Sequence, residues 1–289
     1  MVRKRIRDPE VLPEAPAQDA DNDSGSDDDV DMVNVEFEWF NFKPDIDFHG
    51  VKSLIRQLLD VDSQLFDVSV LADLVLSQPT VGSTVKVDGE ETDPYAFLTV
   101  LNLREHKDKK PIKDLTEYII SKAKSDPTLN QIADLLSSSA EVGLILAERL
   151  INVPGEIAPP MYSMLIDEIE AAVEDKEPYE FTHYLILSKT YHEIASALDQ
   201  EDAPKSKKSK ANRGSKEVFY FHAEDEVLMK HSLASGSYDY TKDEGEGMAD
   251  SKRAFSEMGV KPQGSMLLIE AAKFEGAVKA ISQYLSPPQ

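Results

Sequence analysis

The segment "EVGLILAE" (Glu141–Glu148) constrains the fold more than any other. Its interior is continuously apolar, yet it is only as long as a strand. An alternating strand can leave one face in water, but a continuous apolar run needs cover on both faces. "HYLILSK" (His183–Lys189) has the same character, and "GSMLLIEAAKFEGAVKAISQYL" closes the chain as a strand followed by a helix. Strands of this kind belong inside a sheet that helices cover. No run reaches the roughly 18 apolar residues of a membrane-spanning helix, so no membrane insertion is expected.

The remaining periodicities fill in that sheet. "VNVEFEWFNF" (Val33–Phe42) alternates Val33, Val35, Phe37 and Trp39 with polar residues, which predicts a strand with one buried face. "DFHGVKSLIRQLLD" (Asp47–Asp60) carries Val51, Leu54, Ile55, Leu58 and Leu59 at helical spacing. "DVSVLADLVLSQ" predicts a second helix with Asp67 as its cap. "VGSTVKVD" and "YAFLTVLNLRE" predict two strands joined by a polar turn around "DGEETDP". Further helices are predicted over Pro111–Lys124, over 127–139 and over 160–175. "EVFYFHAEDEVLMKHS" reads as a strand running into a short helix, and "ASGSYDYT" as a further strand. The expected class is α/β: a single domain with a mixed, mostly antiparallel sheet flanked by helices.

Residues 1–31 differ from this pattern. They are Pro- and Asp-rich and too poor in apolar residues to offset chain entropy, so a disordered acidic tail is expected. Ser24 and Ser26 each have an acidic residue three positions on, a pattern that suits an acidophilic kinase. A Lys- and Ser-rich stretch at 199–216 reads as a flexible insertion within a domain spanning 32–286. "TKDEGEGMADSKRAF" (Thr241–Phe255) reads as a mobile loop. The formal net charge of -23 disfavours direct nucleic-acid binding. It suits a basic partner, and it also simply keeps a protein soluble.

The sequence offers little catalytic chemistry. With no cysteine, disulfides, thiolate metal sites and Cys nucleophiles are excluded. The six histidines form no HxH or HExxH pattern and are expected at the surface or at caps. His183 and His192, nine positions apart, should point to opposite faces of a regular strand. No G-x-S-x-G elbow and no P-loop is present. "KDEGEG" (Lys242–Gly247) has cradle-like spacing, but Asp243, Glu244 and Glu246 would repel a phosphate.

The strand–loop–helix from Glu141 to Asp175 has the shape of a phosphate-binding element. Such a cradle needs several converging backbone N–H groups. Pro154, Pro159 and Pro160 have none, Gly155 is the loop's only glycine, and Glu156 adds a negative charge. No cofactor and no metal is expected. Glu148 and Arg149 end the strand. They read either as a salt bridge or hydrogen bonds fixing the loop, or as a polar partner contact at the mouth of the sheet.

Several segments together resemble the BCCIP family: "VNVEFEWF", "VGSTVKVD", "FLTVLNL", "VGLILAERLINVPGEIAPPMYSML", "LILSKTY" and "SMLLIEAAKFEGAVKAISQYL". They run in order from Val33 to about Leu285. The acidic tail and Lys-rich insertion suit a fungal member. The resemblance implies a core similar to the GCN5-related acetyltransferase fold, without established acetyltransferase activity and with no catalytic residues to map. It implies a nuclear protein, shuttling to the cytoplasm, that chaperones a basic large-subunit ribosomal protein in ribosome biogenesis. Nuclear transport factors and an exported lipid kinase are the other partners implied. Animal members bind a tumour suppressor and a cyclin-kinase inhibitor.

Under that reading, Asp27, Asp28 and Asp29 would supply long-range attraction to a basic partner. Arg3–Arg7, or Lys205, Lys207, Lys208, Lys210 and Arg213, would supply a nuclear import signal. The alternatives are an acetyl-CoA-dependent N-acetyltransferase with a non-standard cofactor loop, and a cell-cycle or DNA-repair scaffold.

Overall fold

The continuous apolar runs form the middle of one eight-stranded sheet. The computed structural model describes residues 35–78, 80–193, 218–241 and 260–285. The chain divides into Met1–Glu36 and Phe37–Gln289, and every helix and strand named below lies in the second unit. The acidic tail with Ser24, Ser26 and Asp27–Asp29, the Lys-rich insertion at 199–216, and "KDEGEG" lie outside the described residues.

The strands are β1 (Glu38–Asn41), β2 (Ser83–Lys86), β3 (Ala96–Asn102), β4 (Val142–Arg149), β5 (His183–Glu193), β6 (Phe219–Tyr220), β7 (Ala234–Tyr238) and β8 (Val260–Glu270). Their spatial order is β1-β2-β3-β4-β5-β8-β7, with the short β6 also paired to β5. Among the described residues β4 and β5 make the one parallel pair, and all other pairings are antiparallel. The sheet is therefore mixed and mostly antiparallel, and "VGLILA" and "YLIL" sit at its centre.

Helices cover both faces, as the continuous runs require. On one face lie α1 (Pro44–Leu59), α2 (Val68–Leu76), α3 (Lys110–Ala123) and α4 (Asn130–Leu136), packed on Leu144, Leu146, Leu185 and Leu187. On the other lie α5 (Ala158–Glu174), α6 (Ala223–His231) and α7 (Ala271–Leu285), packed on Ile145, Tyr184 and Ile186. Successive residues of β4 thus alternate between two apolar layers. Asp67 does cap α2, accepting a hydrogen bond from Val70 N. α1 begins at Pro44, earlier than its apolar spacing indicates, because proline fits the first turn of a helix. The first strand is shorter than its alternation predicts. Val35 stands 48% exposed ahead of it, and pairing with β2 starts only at Glu38.

Among the described residues one ion pair has both side chains fully buried. Lys86 Nζ sits 2.6 Å from Asp47 Oδ1. Lys86 Nζ also donates to Glu90 O at 2.6 Å, and Asp47 Oδ2 accepts from Lys43 N at 2.7 Å. The pair pins the start of α1 to β2 and to the turn after it. Removing one partner strands a buried charge, so Asp47→Ala should cost about 3–5 kcal/mol in chemical denaturation. The double variant Asp47→Leu/Lys86→Met should recover most of that loss. A single variant within about 1 kcal/mol of wild type would contradict the geometry.

Candidate functional site

The parallel pairing of β4 with β5 stops at Leu146 opposite Leu187, although both strands continue. β4 stays on β3 as far as Arg149, while β5 stays on β8 as far as Glu193. A gap opens between them. β6 takes up the side of β5 that β4 vacates, pairing Tyr220 with Thr190 and Phe219 with Tyr191. The apolar runs end at this gap: Ala147 and Glu148 follow Leu146, and Ser188 and Lys189 follow Leu187.

Polar side chains fill the opening. Glu148 is 3% exposed and contacts Lys189 Nζ at 2.5 Å and His222 Nε2 at 3.0 Å. Lys189 Nζ also donates to Gln57 O of α1 at 3.1 Å. Arg149 points to the other face and pairs with Glu224 at the start of α6, with one contact at 3.1 Å. Ser188 donates to the buried Asp225 of α6. The Glu148 carboxylate and the Arg149 guanidinium therefore pair with other residues and not with each other. Each is engaged within the chain, and together they tie α1, β4, β5 and α6 across the sheet.

The open edge of β4 is closed from within. Arg149 N donates to Glu148 Oε1 at 3.0 Å, and Arg149 O accepts from Gln57 Nε2 at 2.8 Å. A ligand lying along this edge would need those two groups. The space left between the strands is a cavity of about 30 Å³, bordered by Glu148, Arg149, Tyr162, Ser188, His222 and Asp225. That admits a water or two and falls far short of the roughly 300 Å³ of a small-molecule site.

The loop after β4 leads into a single 3-10 turn, Gly155–Ile157, and then α5, which has proline in its first turn. The residues present do not form a phosphate cradle. A groove of about 440 Å³ at the opposite end of β3 and β4 exposes Lys107, Lys113 and Glu117, and its Arg104 is bound to Glu141 at 2.7 Å. It gathers no convergent set of catalytic groups. Among the described residues no three His, Asp or Glu side chains are placed to hold a metal ion.

Two histidines depart from the expected surface or capping positions. His222 is 8% exposed and His192 is 3% exposed. His222 precedes α6, but its side chain makes no cap hydrogen bond; it is drawn inward by Glu148. Lys189, His222, Glu224, Asp225 and Gln57 were not singled out from sequence. The available signal was the polar break that ends each apolar run at the same level of two neighbouring strands.

Burial and charge act on these groups in opposite directions. Burial alone would raise the Glu148 carboxyl, but His222 and Lys189 hold it at about 2. Burial would lower His222, and the Glu148 carboxylate raises it. Asp225 is raised to about 7 by burial, despite the opposing charge of His222, with Glu224 adding to the rise.

These features define a class: an α/β protein with a mixed sheet whose central parallel strands part and are closed by the chain's own ion pairs. The BCCIP family profile matches residues 32–228. A protein named BCP1 from Gibberella zeae is 59% identical over 292 residues, covering 100% of both chains. The bcp1 protein of Schizosaccharomyces pombe is 46% identical, covering 89% of this chain and 92% of its own. The crystal structure of BCP1 from Saccharomyces cerevisiae superposes with a TM-score of 0.60 at 26% identity, over 92% of this chain and 97% of that one. The chain belongs to the BCCIP family.

The titrations predict a particular pH response. Asp225 is raised from 3.8 to about 7, so the folded state holds a proton that the unfolded chain releases. Its contribution is fully present below pH 3.8 and is lost as pH rises to about 7. His222 is raised from 6.5, so its contribution is likewise lost above that range. Glu148, lowered from 4.5 to about 2, contributes above 4.5 and loses that contribution as pH falls through about 2. Asp225→Asn should therefore gain on wild type in Tm as pH rises from about 4 to 8. Thermal scans across that range check this, and a difference that stays flat with pH would refute it.

Proposed function

We propose that this chain is a non-catalytic nuclear escort for a basic ribosomal protein of the large subunit. It acts in ribosome biogenesis and in nuclear export of protein cargo, including a lipid kinase carried with transport factors. One observation carries the reading. The opening between the parallel strands is closed by internal ion pairs, while the formal charge of -23 leaves an excess of carboxylates outside them. Ribosomal proteins are rich in Lys and Arg, and an acidic binder screens those charges until the rRNA is met. Asp27–Asp29 would add long-range attraction, Ser24 and Ser26 are candidate phosphorylation sites, and Lys205–Arg213 is a candidate import signal.

The test has two arms. Affinity purification in low and high salt should yield a one-to-one complex with a basic ribosomal protein, weakening as salt rises from about 0.05 to 0.5 M. In the second arm, millimolar acetyl-CoA should leave Tm unchanged. A site occupied at a hundredfold excess over Kd would add about 2.7 kcal/mol, which a thermal scan detects readily. A clear shift with acetyl-CoA would overturn the non-catalytic reading, and capture of no ribosomal protein in low salt would overturn the escort.

A further inference from the structure

Ile151 is 87% exposed in the loop that follows β4. An exposed isoleucine on a frayed loop would mean little, but this loop is held at both ends. Leu150 N donates to Tyr95 O at 2.9 Å, and Val153 N closes a turn onto Leu150 O at 3.0 Å. Val153 and Ile157 are buried in the core, and Arg149 is fixed on both backbone sides by Glu148 and Gln57. The fold presents Ile151 to solvent on a rigid arch.

The Tyr95 contact places this arch beside the β2–β3 turn, which carries Asp88, Glu90, Glu91 and Asp93. Asp88, Glu91 and Asp93 are exposed, and Glu156 is exposed in the arch itself. Lys43 is held by Glu90 at 2.7 Å and Glu91 at 3.2 Å. Across the opening stands Phe221, 40% exposed, with its ring 5.4 Å from Lys189 Nζ. Lys189 and Gln57 link it back to Arg149. Ile151 therefore stands next to the turn that carries these carboxylates, with Phe221 as a second exposed apolar side chain on the far side of the opening.

The geometry points to this mouth, centred on Ile151, as the docking surface for a basic protein segment that carries an apolar residue among its Lys and Arg. Charge complementarity selects that occupant. A neutral apolar segment would desolvate the carboxylates without pairing them, and an acidic one would be repelled. A clamped side chain loses little conformational freedom on binding, which suits Ile151 as an anchor. The inference rests on the escort reading and names the face that does the binding.

The experiment measures binding of wild type and variants to purified basic large-subunit ribosomal proteins by fluorescence anisotropy. Because Ile151 is exposed, Ile151→Asp should fold with unchanged Tm and lose at least about tenfold in affinity. Phe221→Ser should weaken the same complex, providing a second reading on the far side of the mouth. Val70→Ser, at an exposed apolar position on α2, should bind as wild type does. If wild type binds and Ile151→Asp binds within about twofold of it, this surface is wrong while the escort stands. If wild type binds none of them even at low salt, both fall.

Discussion

The parting of β4 from β5 is the constraint on which the rest of the structure depends. Parallel strands that separate in the middle of a sheet leave backbone N–H and C=O groups facing a gap. Buried groups of that kind need partners. Here Glu148 and Gln57 supply them to Arg149, and on the other strand Phe221, which follows β6, donates its N–H to Lys189 O at 3.3 Å. The same side chains then reach the helices. Gln57 belongs to α1 on one face, and Glu224 and Asp225 belong to α6 on the other. The gap thus becomes the point at which both helical layers are joined through the sheet.

Closing a gap with charges is not a cheap way to gain stability. Desolvating an ion pair often costs as much as the attraction returns, so such pairs define geometry better than they add free energy. Glu148 and Lys189 stand at the same level of neighbouring strands, and each has a further partner, His222 and Gln57. Lys86 and Asp47 follow the same rule at the other side of α1. α1 is therefore located by buried polar contacts at both ends, and the course of the β4 loop follows from that position.

Much of the fold was legible because local physics carried it. Continuous apolar runs require two covered faces, and "VGLILA" and "YLIL" do lie at the centre between two helical layers. Asp67 was readable as a cap because capping is a contact over three residues. The network at the opening was not readable, because its partners are distant in sequence. Glu148 meets Lys189 and His222 far along the chain, and Arg149 meets Glu224. Nothing local drew His222 inward rather than leaving it at the surface. The insertion of β8 between β5 and β7 is likewise a property of chain order in space, which periodicity does not encode. The scarcity of backbone N–H groups after β4 could be counted in the sequence, since three prolines carry none wherever the backbone goes.

The internal pairs also determine which charges are left outside the core. Glu148 with Lys189, Arg149 with Glu224, and Asp47 with Lys86 each balance one charge with one opposite charge. They contribute nothing to the net charge of -23, so the whole imbalance lies outside them. Exposed carboxylates act over about 8 Å at physiological salt, which attracts a basic protein but does not choose among basic proteins. Selectivity needs short-range shape, and shape needs a surface that does not move. The ion pairs that close the β4–β5 gap hold one end of the arch carrying Ile151. The network that ties β4 and β5 to both helical layers is therefore also the network that holds one end of that arch.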